Sequence, residues 1–409
     1  VTIAGDLLER LFSLAQKAQA RGNSPLVSLP LTKAQCPAYF TMRNLSDAEE
    51  FRAELGQAQR KGAIVLTLGA RQRSPRDIAR VAVADLTILA GHLGLALRAR
   101  QIDKAKARLN SEVLAFPVLN QIIEAWQTGK AVRKRQPTDA AIDELADAVR
   151  LMTIRRDALN EALMRRESIR VFGASKYIEQ QLGRWLDILY TDSLASSGLT
   201  KTEVFSAIGL SREPQPFLIA ADAIALGEDV ESRLFRPYHG LPMDGIQAFR
   251  FDTMPSCVLT VENKQTFHEM AALARRSTVC VVYSGGMPSP AWHHTYGHLL
   301  KAFGTDEIEI YHFGDVDLGG YRIAHAIWRT AAAQGRSLQP WLMDPHDLHA
   351  MGHRLTETTP ARMRDMHRWC ERMGWTAVAD HVLSRPGTLE QEAVMPTLPA
   401  APLAPRITL

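Results

Sequence analysis

The chain has 409 residues, enough for two or three domains with sizeable cores, and a net charge of +4. That charge permits contact with nucleic acid without demanding it, so the placement of the basic residues matters more than their sum. Cys36, Cys257, Cys280 and Cys370 lie far apart with no CxxC spacing, which argues against a zinc site or a disulfide framework. No apolar run approaches the roughly 18 to 20 residues of a membrane span. The opening Val1-Thr2-Ile3-Ala4-Gly5-Asp6-Leu7-Leu8-Glu9-Arg10 reads as a charged amphipathic helix rather than a signal peptide, so a soluble, cytoplasmic protein without membrane contact is expected.

After that helix, Ser46-Asp47 can cap a helical stretch reaching about Arg60. Two strand candidates follow, 63–68 and 78–83, flanking the basic loop Arg71-Gln72-Arg73-Ser74-Pro75-Arg76. Helix, strand, loop, strand is the outline of a winged helix, in which Arg71, Arg73 and Arg76 would touch DNA phosphates; an ordinary solvated hairpin tip reads equally well. Residues 86–127 are helical in pattern, and 129–137 break it. From Thr138, the apolar stripe Ile142, Leu145, Val149, Met152, Leu159 and Leu163 predicts one long helix of about 28 residues, roughly 42 Å. Its arginines (Arg150, Arg155, Arg156, Arg165, Arg166) would either meet DNA or solvate an exposed face.

Beyond the polar break at 196–199, Thr200 can cap a short helix through Ile208, closed by Gly209, with a short strand over 217–221. From 253 onward strand and helix alternate. The predicted strands are 257–261, 278–283, 307–313 and 338–342, and the helices 264–275, 290–303 and 320–333. Such alternation argues for a parallel sheet with helices on both faces, whose ligands collect beyond the carboxyl ends of the strands. Past Pro345 the chain turns helical and polar, and 396–405 is a Pro- and Ala-rich tail expected to lack fixed structure.

Chemistry concentrates at the predicted strand ends. The strand 307–313 runs into Gly314-Asp315-Val316-Asp317-Leu318-Gly319-Gly320, and the strand 257–261 ends in Glu262-Asn263. Two carboxylates one residue apart in extended chain point to the same side. With Glu262 they outline an oxygen-rich site for a hard divalent cation, Mg2+ or Mn2+. Glu262 reads either as a ligand or as a proton-transfer group. Gly285-Gly286 would let backbone N–H groups approach a phosphate, or is a plain tight turn. His293, His294 and His298 suit zinc or iron better than a carboxylate-bound Mg2+ and are read as structural.

Val261-Glu262-Asn263, Gly285-Gly286-Met287-Pro288-Ser289 and Gly314–Gly320 in that order resemble the Toprim metal-binding core. More narrowly, they resemble the JetD family, nuclease subunits of Wadjet-type plasmid-defence systems related to the topoisomerase VI A-subunit group. Phe172-Gly173-Ala174-Ser175-Lys176-Tyr177-Ile178-Glu179, Pro340-Trp341-Leu342-Met343-Asp344 and Leu389-Glu390-Gln391-Glu392 fit the narrower match, which spans about residues 170 to 393. The resemblance implies a Mg2+- or Mn2+-dependent endonuclease that cleaves duplex plasmid DNA with Glu262, Asp315 and Asp317. Glu390 and Glu392 fit the terminal acidic motif, with Glu392 a candidate to complete the metal shell, and Lys176 would meet DNA phosphate. It also implies partnership with an SMC-kleisin ATPase complex. Two cuts in a duplex are most simply made by a homodimer.

The domain expectation is an N-terminal helical and winged-helix-like region over 1–136 and a long helix over 137–172. A winged-helix (CAP-like) domain over 173–250 and the α/β Toprim core over 251–345 follow, then a helical region over 346–394 and the tail 395–409. Two other functions compete. Tyr177 or Tyr190 would act as nucleophile in a topoisomerase VI-like transesterase, or the acidic cluster would be structural in a non-catalytic DNA-binding adaptor.

Overall fold

The structure, a computed structural model, describes residues 2–41, 45–69 and 78–399. The basic loop with Arg71, Arg73 and Arg76 and the last ten residues lie outside the described residues. The chain forms two compact units, residues 1–149 with 192–194, and residues 150–191 with 195–409.

In the first unit a three-stranded antiparallel sheet forms, with Ile78–Val83 paired on one side to Ser28–Pro30 and on the other to Ile64–Leu68. Helix Ile3–Ala20 starts where Thr2 Oγ1 accepts the Gly5 N–H at 3.0 Å. Its Leu7, Leu8, Leu11, Phe12 and Ala15 repeat at three- and four-residue steps and are all buried. They share one core with Phe51 and Leu55 of helix Leu45–Arg60 and with Val81 and Val83 of the central strand. The two strands read from the alternation around the basic loop are thus present, with the helix that precedes them.

The long helix expected from 138 is broken. One helix spans Asp139–Arg155 and a second Met164–Phe172, with Ala162–Leu163 between them pairing in parallel with Leu210–Ser211. The Arg155 side chain, only 7% exposed, explains the break. Its Nε donates to the Ile208 carbonyl at 3.1 Å and its Nη2 to the Gly209 carbonyl at 3.0 Å and to the Asn160 carbonyl. The guanidinium binds the turn itself. Leu159 and Leu163, which keep the apolar spacing going in the sequence, lie in the break itself, so periodicity alone cannot register the interruption.

The second unit is built on a six-stranded mixed sheet. Its strands are β1 (Phe217–Ala220), β2 (His239–Leu241), β3 (Cys257–Val261), β4 (Cys280–Tyr283), β5 (Glu309–Phe313) and β6 (Gln339–Pro340), in the order β6-β5-β3-β4-β1-β2. The four strands β3 to β6 pair in parallel. The sheet is not purely parallel as expected: β1 and β2, drawn from the segment assigned to a winged helix, extend it antiparallel from β4. All five residues of β3 are buried. Side chains alternate across a strand, so both faces of β3 are covered, which is why Cys257-Val258-Leu259-Thr260-Val261 reads as a continuous apolar run.

Three helices follow β3, β4 and β5 in turn: α1 (Lys264–Leu273), α2 (Pro290–Lys301) and α3 (Leu318–Ala332). Each begins on an N-cap side chain, from Asn263, Ser289 and Asp317 respectively. Thr200 and Glu203 form a reciprocal capping box at the start of helix Lys201–Ala207, as the Thr200 reading anticipated. Residues 395–399 are held, in contrast to the expectation for the tail. The Thr397 carbonyl accepts from Trp341 Nε1 at 2.7 Å, and Leu398 packs on the core. All four cysteines are buried and unpaired. No described helix is long and apolar enough to cross a membrane.

Replacing Arg155 by Met leaves the Ile208, Gly209 and Asn160 carbonyls without their charged donor. Because hydrogen bonds to charged groups contribute about 1.5–3 kcal/mol, the variant is expected to lose roughly 2 kcal/mol or more of unfolding free energy. Urea denaturation measures this, and an unchanged midpoint would refute the turn-binding role.

Candidate metal centre at the carboxyl edge of the sheet

Beyond Phe313 the chain stays extended through Val316, which forms an antiparallel bridge with Leu389 (N–H to carbonyl at 2.8 and 3.1 Å). This bridge draws the segment around 389–393 across the carboxyl ends of β3 and β5. Gln391, 1% exposed, fastens it. Its Nε2 donates to the Phe313 carbonyl at 2.7 Å, its Oε1 accepts the Asn263 N–H at 2.7 Å, and its own N–H reaches Asp315 Oδ1 at 2.7 Å. One buried amide therefore ties together the ends of both central strands and the C-terminal segment.

The result is a carboxylate cluster. Asp315, Glu390 and Glu392 each offer an oxygen, and the three lie within 4.8 Å of one another. Glu392 is oriented by Asn263, whose Nδ2 donates to its Oε1. The same Asn263 caps α1 through Oδ1, which accepts from Gln265 N at 2.8 Å and Thr266 N at 3.3 Å. Asp315 and Glu392 thus each have one oxygen held by a donor, while the second has no hydrogen-bond partner among the described residues. The donors are carboxylate oxygens without thiolate or imidazole, a set that suits Mg2+ or Mn2+.

Glu262 and Asp317 stand beside this cluster. Glu262 Oε2 accepts the Asp315 N–H at 3.2 Å. Asp317 Oδ1 accepts the Gly320 N–H at 2.7 Å and starts α3. Burial, and then the charge of Asp315, push the Glu262 carboxyl well above the usual range; Asp317 and Glu203 add to the rise. Burial likewise raises Asp315 to about 6, against the hydrogen bond from the Gln391 N–H, with Glu390, Asp317 and Glu392 reinforcing the shift. Negative charge is crowded here beyond what the protein's own donors relieve.

His312 lies fully buried beneath the cluster. Thr260 Oγ1 donates its only proton to the Tyr311 carbonyl at 3.0 Å, so its 2.9 Å contact with His312 Nδ1 must be one it accepts. That fixes the neutral Nδ1–H tautomer, in keeping with burial that lowers the ring to about 3. Nε2 is then a bare acceptor with no partner among the described residues. A Cβ on Gly314 would stand 2.8 Å from that nitrogen and 2.5 Å from Glu262 Oε2, so only glycine leaves the space between them open.

Gly285 and Gly286 both adopt positive φ (74° and 72°), and the Gly286 N–H points to the Glu262 carbonyl at 3.4 Å. Lys176 is exposed, in the turn after the Gly173 cap of helix Met164–Phe172. Tyr177 packs on Phe172 with ring centroids 5.1 Å apart. Tyr190 directs its hydroxyl at Met287 Sδ (3.9 Å), and burial raises its pKa. The sequence reading had no role for Gln391, His312 or the Asn263 side chain. For Gln391 a signal existed in its place between two acidic residues of one motif.

Asp315→Asn tests the electrostatics without metal. A carboxyl with a raised folded-state pKa costs stability that appears as pH climbs from the unfolded value near 4 through about 6. In EDTA the variant should therefore be more stable than the parent at pH 7.5, on the order of 1 kcal/mol after allowance for solvent screening. The gain should shrink below pH 6 and vanish below pH 4. A gain that persisted at pH 3.5 would assign it to packing instead. Separately, Gly314→Ala should cost about 1–3 kcal/mol in urea unfolding, since Glu262 or His312 must move to admit the methyl group.

Residues 234–399, which contain every carboxylate of this centre, match the family model described as Wadjet protein JetD, C-terminal. The Wadjet protein JetD of Bacillus cereus (strain Q1) is 25% identical to the chain over 194 residues, 46% of this chain and 46% of that protein. The match thus spans about half the length of the curated relative. Through its C-terminal region the chain is similar to the JetD proteins, as the strand-end motifs had suggested.

Proposed function

We propose that the protein is a Mg2+- or Mn2+-dependent DNA endonuclease with a Toprim-type core that cuts duplex plasmid DNA by hydrolysis, as the nuclease subunit of a Wadjet-type defence complex. The observation that carries the reading is the convergence of Asp315, Glu390 and Glu392 at the carboxyl edge of the parallel strands, inside the region that matches JetD. In this reading the three carboxylates hold the divalent ion, which supplies charge stabilisation at a phosphodiester and an acidified water. The remaining steps belong to the chain. Glu262, whose proton affinity is raised by burial and by Asp315, exchanges a proton at its carboxyl. Asn263 and Gln391 hold Glu392 and Asp315 in position before substrate arrives. Asp317 fixes the start of α3 and adds negative charge beside Glu262.

Water is the favoured nucleophile over tyrosine. The Tyr190 hydroxyl faces Met287 and loses its proton less readily than an exposed phenol, and the Tyr177 ring packs at a tilt against Phe172. The same reading assigns the first unit and Lys176 to holding duplex DNA, with winged-helix geometry around the basic loop of Arg71, Arg73 and Arg76. It further assigns a homodimer to make paired cuts, an SMC-kleisin ATPase complex to present the DNA, and a cytoplasmic setting.

The test is incubation of supercoiled plasmid with the full chain in Mn2+, with and without the partner ATPase. Asp315→Ala is expected to reduce cleavage at least about a hundredfold, the scale on which loss of a key electrostatic group acts. Folding, followed by circular dichroism, should be kept. Cleavage by the variant at the parent rate would remove the metal centre from the reaction. Protein left covalently on a DNA end would move the chemistry to a tyrosine, and no cleavage of any DNA form with the ATPase present would favour the adaptor.

A further inference from the structure

The helices α2 and α3 leave the carboxyl edge of the sheet and enclose, on their outer sides, a cleft of about 450 Å³ that the metal centre does not use. Its cationic lining comes from Lys301 of α2 and Arg329 of α3, with His294 and His298 of α2 beside them. No aspartate or glutamate lines it. Among the described residues neither Lys301 nor Arg329 has a carboxylate partner. His294 and His298 stand one turn apart with their Nε2 atoms 3.0 Å from each other, within hydrogen-bond reach. His293 also lines the cleft, with its Nδ1 engaged by Thr330 Oγ1 at 2.7 Å.

Uncompensated cations gathered in a concave site lower the energy of a bound anion. A planar arginine fork beside a lysine suits the tetrahedral oxygens of phosphate. The position favours a phosphate borne on DNA. Arg329 lies twelve residues beyond Asp317 on α3, about 18 Å along the helix at 1.5 Å per residue, which is the rise of about five base pairs. We propose that the α2–α3 cleft is a second phosphate subsite, in which Arg329, Lys301 and the His294–His298 pair seat the DNA backbone about half a helical turn from the scissile position. The subsite rests on the endonuclease reading, and it adds a fixed second point that sets the direction of the duplex across the carboxylates. The carboxylates repel DNA until metal binds; the cleft attracts it in either state.

The full chain is titrated with a fluorescent 30-base-pair duplex in EDTA between 50 and 200 mM salt, by anisotropy. Lys301→Gln/Arg329→Gln should flatten the plot of log affinity against log salt by about 1.8, two contacts at 0.9 each, for any DNA sequence. Lys301→Arg/Arg329→Lys, which keeps both charges on exposed side chains, should retain most of the slope. Inorganic pyrophosphate is the second arm. If it raises the melting temperature of the parent but not of the glutamine variant, while the DNA slope is the same in both, the cleft takes a free anion and the proposal fails. An unchanged slope with no pyrophosphate effect also overturns it. In either case plasmid cleavage by the parent leaves the endonuclease reading standing. A parent that neither binds DNA in a salt-dependent way nor cleaves it removes both.

Discussion

The second unit depends on keeping several carboxylates close together at the end of a buried sheet. Glu262, Asp315, Glu390 and Glu392 come from three separate stretches of chain, and their mutual repulsion opposes the arrangement. Gln391 holds it. Its side-chain amide donates to the Phe313 carbonyl and accepts the Asn263 N–H, while its backbone N–H meets Asp315. An amide is suited to this place because it presents donor and acceptor at once without adding charge. A glutamate there would put one more negative group into the cluster, and an apolar residue would leave buried backbone groups unpaired.

Two consequences follow from holding charge in this way. Protons bind more tightly to Glu262 and Asp315 than to exposed carboxyls. The floor of the site is neutral. His312 is locked by Thr260 into one tautomer, so it brings no positive charge to offset the carboxylates from below. Relief of the repulsion is therefore left to whatever binds from outside. Gly314 keeps the gap between His312 and Glu262 open, and its lack of a side chain is as much a part of the site as the carboxylates.

Two parts of the second unit differ in the sign of their charge. Acidic groups crowd the carboxyl edge, whereas the cleft along α2 and α3 is lined by Lys301 and Arg329 and by no aspartate or glutamate among the described residues. The match to JetD lies over residues 234–399, so the part of the chain that resembles that family is also the part that bears the carboxylate cluster. The first unit has its own core of helices on an antiparallel sheet and contributes no residue to the cluster.

The sequence by itself determined the parts that local rules govern. The alternation of strand and helix from 253 onward, the cap at Thr200, and the crowding of carboxylates at strand ends all follow from side-chain period and backbone hydrogen-bond demand. It placed Asp315 and Glu262 at the edge of one sheet, and through family motifs it drew attention to Glu390 and Glu392. The tertiary structure decided which of them meet. The bridge of Val316 to Leu389 spans more than seventy residues of chain, and no periodicity encodes such a pairing. The break in the expected long helix was hidden for a similar reason, because Arg155 finds its carbonyl partners at Ile208 and Gly209. The antiparallel extension of the sheet by β1 and β2 depends on non-local pairing as well. Local pattern fixes which residues face inward and where an element begins, but partners far apart in sequence are chosen by the packing of the whole unit, where the hydrogen-bond needs of buried groups are met together.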